Sequence, residues 1–119
     1  MTATLPVFSP QNQRDLLWDQ CRNNLGIARL LIQERRPEPM VATACRMAVE
    51  TACRAALEQA GYTFDGDVRR ALGRLSAPVE LQNLLDAGSG SDRLMATQAV
   101  VEWLAAYLRS EAPGRSWGY

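Results

Sequence analysis

The residues best suited to chemistry in this chain are charged side chains at helical spacing. Arg46, Glu50 and Arg54 recur every four positions, so on a helix they form one row. Such a row is either a solvated ion ladder or an anion-binding edge in which Glu50 holds both guanidinium groups. A second group, Arg69, Arg70 and Arg74, is the most basic local cluster. It reads either as an exposed helix face or as a second anion contact. No histidine is present, which removes the commonest general base and the commonest metal ligand. Cys21, Cys45 and Cys53 lack metal-site spacing, and their odd number does not suggest a secreted disulfide framework. They read as buried thiols on apolar helix faces. The expected site inventory has no metal, no cofactor and no catalytic residue.

The stretch that must position this chemistry is Met40–Gly61. At 100° per residue, Val41, Ala44, Cys45, Ala48, Val49, Ala52, Ala55 and Ala56 share one broad face. Thr43, Arg46, Glu50, Arg54 and Glu58 lie opposite. Alanine is the best helix former, and its small side chain allows close approach of a neighbouring helix. Pro39 suits a first helical turn, and Gly61 suits the left-handed residue that closes a helix.

An earlier helix is expected over Gln11–Arg35, entered by Ser9-Pro10, with Leu17, Cys21, Leu25, Ala28, Leu31 and Ile32 on one side. Asn24 falls inside that stripe; it sits at its rim, lines a pocket or bridges to another subunit. Arg36-Pro37-Glu38-Pro39 breaks the helix and makes a tight connection, so the two long helices should run antiparallel. A short helix is expected over Asp67–Leu75, capped by Asp65, with Val68, Leu72 and Leu75 turned inward. A second short helix, Val79–Ala87, should part-bury Val79, Leu81, Leu84 and Leu85. Gly88-Ser89-Gly90-Ser91 resembles a phosphate loop in composition alone; without the P-loop pattern or a preceding strand it reads as a turn.

The last helix is expected over Asp92–Glu111, capped by Ser91 and ended before Pro113. It is apolar nearly all round, which calls for burial on two sides. Val100, Trp103 and Tyr107 therefore read as the candidate contact of a homodimer. The competing expectation is that the short helices and the N-terminal arm, residues 1–8, cover that face. The tail, residues 112–119, carries Trp117 and Tyr119.

These elements predict an all-α protein, an up-down bundle of three long and two short helices resembling a four-helix bundle, as a single domain over residues 1–119. With thirteen cations, all Arg, and thirteen acids, the charge balance argues against nucleic acid as the main partner. No signal peptide or membrane-length apolar run is legible, so a cytoplasmic location is expected.

Ala48-Val49-Glu50, then Arg54-Ala55-Ala56-Leu57, then Gly61, resembles the pattern of HEPN domains, helical bundles of certain RNases, toxins and nucleotidyltransferase-associated proteins. Val68, Leu72 and Leu75 resemble the short hydrophobic segment that follows in that family, and Ala99–Leu108 its closing helix. The family usually has Lys where Arg54 stands. Its RNA-cleaving members carry an Arg followed four to six residues later by His. Here Arg93 is followed at that spacing by Gln98, which cannot shuttle a proton. The resemblance thus implies a non-nuclease binding or regulatory module, working with a partner such as a nucleotidyltransferase or a toxin–antitoxin component, and makes nucleotide binding a candidate property. The alternatives are a structural dimerisation scaffold and a divergent ribonuclease using Arg93.

Overall fold

The computed structural model describes residues 10–86 and 88–110, all in helices or the turns between them. Among the described residues five α-helices follow in order: α1 (Pro10–Gln33), α2 (Glu38–Ala60), α3 (Val68–Arg74), α4 (Val79–Asn83) and α5 (Gly90–Ser110). A 3-10 turn, Leu84–Asp86, extends α4. The described residues contain no strand, and no helix among them is long and apolar enough to cross a membrane. The N-terminal arm, Ser9 and the tail with Trp117 and Tyr119 lie outside the described residues.

Helix α2 is central, packing against α1, α3 and α5. All eight residues of its expected apolar face are buried, and Cys53 and Leu57 widen that face. Cys21 of α1 packs in one cluster with Ala48, Ala52 and Cys53, whereas Ala28 packs with Val41, Ala44 and Cys45. Numbers rising along α1 meet numbers falling along α2, so the two helices are antiparallel, as the short connection requires. Helices α2 and α5 run in the same direction. Glu38 at the start of α2 bonds to Gly90 and Arg93 at the start of α5, and Gln59 near the end of α2 donates to the Leu108 carbonyl at 3.4 Å.

Three helices stop by the same chemistry. After α1, the N–H groups of Arg36 and Arg35 donate back to the Leu31 and Ile32 carbonyls at 2.9 and 3.0 Å. After α2, Tyr62 and Gly61 donate to Leu57 and Glu58; after α3, Ala77 and Ser76 donate to Leu72 and Gly73. This paired pattern needs a left-handed residue at the closing position. Gly61 supplies it without steric cost at φ 90°, but Arg35 and Ser76 adopt it at φ 56° and 61°. Pro37 and Pro78 follow one residue after the neighbours of these corners, both in extended geometry, and start α2 and α4.

Some boundaries and roles differ from expectation. Asp67 caps α3, its carboxylate accepting from the Arg70 N–H at 3.0 Å, while Asp65 accepts from the Asp67 N–H and shapes the preceding turn. Asp67 holds the position because its backbone is extended there. Helix α5 begins at Gly90, so Ser91 lies in the first turn rather than at the cap. Val79 opens α4 on its solvent side and is 65% exposed, instead of part-buried.

Leu57, Leu72 and Leu104 are the largest side chains fully buried at the junction of α2, α3 and α5. Each contributes about 2 kcal/mol of burial. Around them the small alanines of α2 let the other helices close in.

Candidate functional site

A cleft of about 660 Å³ opens between α2, the loop into α3, the 3-10 turn and α5. The volume lies within the range of small-molecule sites. Val49, Leu84, Leu85 and Ala96 give it apolar walls. Arg46, Arg69 and Arg93, from three different helices, reach the same space. Glu50, Asp67 and Asp86 also line it, so cations and carboxylates balance.

Each arginine has a carboxylate partner, but the three pairs differ. Arg46 Nε lies 3.8 Å from Glu50, one turn on in α2, which is a loose exposed pair. Arg69 reaches across from α3 to Asp86 of the 3-10 turn at 2.5 Å. Arg93 is held most firmly: its Nε donates to Glu38 at 2.7 Å, and the Gly90 N–H donates to the other oxygen of the same carboxylate at 3.0 Å. The Arg93 hydrogen bond holds the Glu38 carboxyl below its ordinary range; burial opposes this, and the Gly90 N–H and the Arg93 charge add to it.

Beside Arg93, Thr97 is buried and donates its hydroxyl to the Arg93 carbonyl at 2.8 Å. Cys45 lies at the inner edge of the cleft with it. Burial pushes that thiol up, against the opposing effects of Thr97 and Arg93. The other two cysteines are buried as well, as expected. Burial raises Cys21 to about 11 and Cys53 to about 12. All three thiols are therefore protonated at neutral pH and poor nucleophiles.

The expected residues divide. Arg46, Glu50 and Arg69 meet at the cleft. Arg54 does not share Glu50 with Arg46; its guanidinium lies over the Phe64 ring, 5.6 Å from the centroid. Arg70 pairs with Asp65 and lies 3.8 Å from Asp67, and Arg74 sits 5.0 Å over the Tyr62 ring. The cluster Arg69, Arg70 and Arg74 thus divides: Arg69 turns to the 3-10 turn, whereas Arg70 and Arg74, one turn apart on the same side of α3, meet the preceding loop. Arg93 and Gln98 also separate: Arg93 lines the cleft with Ala96 and Thr97, and Gln98 does not. Five helical positions place two residues about 140° apart.

Of the expected dimer contact, Val100 is fully buried in the core of the single chain and has no surface to offer. Trp103 and Tyr107 stack on each other with centroids 5.7 Å apart, and both are half-buried against that core. Apolar side chains are exposed on other faces as well. Ile27, Met40 and Met47 are more than two-fifths exposed and border a shallow groove between α1 and α2. Asn24 stands at its edge and donates to the Gln20 carbonyl of its own helix at 3.0 Å.

Sequence reading missed Glu38, Asp86 and Thr97. Glu38 carries a weak local signal, an acid in a first helical turn, but its partner lies 55 positions away. Among the described residues no cluster of acids and cysteines could hold a metal ion. Comparison with family models, curated proteins and solved structures finds no match for this chain.

Proposed function

We propose that this chain is a non-catalytic, HEPN-like binding or regulatory module, and that the cleft between α2, α3 and α5 is its ligand-facing site. The observation that carries the reading is the convergence of Arg46, Arg69 and Arg93 on one partly apolar cleft. Residues of that kind recognise an anionic group while the walls take an apolar body. In this reading the three long and two short helices are an up-down, four-helix-bundle-like domain in which α3, α4 and the 3-10 turn stand as the fourth rod. The module is cytoplasmic and homodimeric, with Trp103 and Tyr107 at the contact. It acts beside a partner protein such as a nucleotidyltransferase or a toxin–antitoxin component.

Native mass spectrometry of the protein purified from its own cell tests this directly. A bound anionic small molecule, or a stoichiometric partner protein, is expected. Recovery of the bare chain alone would overturn the reading and favour a structural scaffold. The dimer is tested by light scattering: Trp103→Glu should halve the mass, and an unchanged mass removes the proposed contact. The divergent-ribonuclease reading is weakened by the separation of Arg93 from Gln98 and by the Glu38 bond that occupies Arg93 Nε.

A further inference from the structure

The three ion pairs of the cleft are not equally replaceable. Glu38 accepts two hydrogen bonds from the start of α5 and so is fixed in place. Glu50 sits on the same helix as Arg46 and its side chain is 35% exposed. Asp86 differs from both. It lies on a three-residue turn, its side chain is 73% exposed, and it meets Arg69 from a separate element. An exposed ion pair of this type holds its partners weakly. Both members line the cleft.

We propose that Asp86 is a built-in stand-in for the acidic group of the ligand. The incoming group displaces it from Arg69, and the body of the ligand rests on Val49, Leu84 and Leu85. This inference depends on the cleft being the binding site proposed above. It also selects the ligand chemistry. Asp86 is tethered to the chain, so it competes at a high effective concentration. A free monocarboxylate offers Arg69 only what Asp86 already offers. A phosphate monoester carries up to two charges and three acceptor oxygens, and pairs more strongly with a guanidinium. Displacing Asp86 also leaves the Arg69 guanidinium without its counter-charge inside the cleft. The ligand class is therefore a phosphate monoester on a compact apolar body.

The test is titration of the full chain with phenyl phosphate and with benzoate, followed by heteronuclear NMR, on the natural protein, Asp86→Asn and Arg69→Gln. Circular dichroism checks that each variant keeps its helix content. The natural protein should bind phenyl phosphate in preference to benzoate, with shifts confined to the cleft. Asp86→Asn should tighten both ligands about two- to fivefold, because it removes the internal competitor of a weak pair. Arg69→Gln should weaken phenyl phosphate about tenfold or more. Unchanged or weaker binding by Asp86→Asn would overturn the stand-in. Binding at the cleft that ignores both substitutions would overturn it too, while leaving the cleft reading intact. No cleft binding of either probe by any of the three proteins would defeat both.

Discussion

One helix carries two surfaces of opposite character. Along its buried seam α2 presents Ala48, Ala52, Ala55 and Ala56, all fully buried. Along its cleft edge it presents Arg46 and Glu50, long side chains in a loose pair. The seam is set by volume, because close-packed helices feel a change of a single methylene. The edge is set by charge, and solvent screens much of what the charges do. The contrast teaches that substitutions one or two positions apart on the same helix should act on different properties: stability at the seam, recognition at the edge.

The largest effect should come from deleting volume where the seam meets α3 and α5. Leu57→Ala is expected to cost about 3 kcal/mol, read as a lower urea midpoint at an unchanged slope. Adding volume sharpens the same point. Ala52→Leu should cost about 2 kcal/mol by forcing α1 and α5 away from α2, visible as a lower melting temperature. If Ala52→Leu were neutral, the seam would not be tightly packed and the contrast would fail.

Smaller effects belong to the cleft. Glu38→Gln should cost about 1 kcal/mol, since its two bonds at the start of α5 are charge-assisted but partly exposed. The pH dependence has a definite sign. The folded carboxyl titrates below its ordinary 4.5, so its contribution is complete above that value and is lost as pH falls through the lowered one. Melting temperature against pH should therefore drop less steeply for Glu38→Gln than for the natural protein in this acid range. Least of all, Arg46→Ala should change stability by no more than about 0.5 kcal/mol. A large loss there would mean that the edge is structural after all.

The seam was legible in the sequence and most of the cleft was not. Period 3.6 predicts the buried set from Val41 to Ala56 correctly, because each member needs only its own helix to be placed. The same holds for the antiparallel pairing of the first two helices, which follows from a connection too short for any other path. The cleft depends on contacts between elements. Arg69 finds Asp86, and Arg93 finds Glu38, only once α3, the 3-10 turn and α5 have docked. Local charge density misled for the same reason. Arg70 and Arg74 look like part of one basic surface, yet each turns to a neighbour in the loop before α3, Asp65 or Tyr62. Val100 misled in the other direction, since an all-round apolar helix can satisfy one of its sides within its own chain.

The corners at Arg35 and Ser76 have a consequence of their own. A side chain in the left-handed basin is disfavoured by roughly 1–2 kcal/mol, and both positions carry one. Neither residue lines the cleft. Replacing Arg35 by glycine should therefore raise the melting temperature while leaving ligand recognition untouched. The natural chain sits below the thermal ceiling its own topology permits, with the headroom located at its bends.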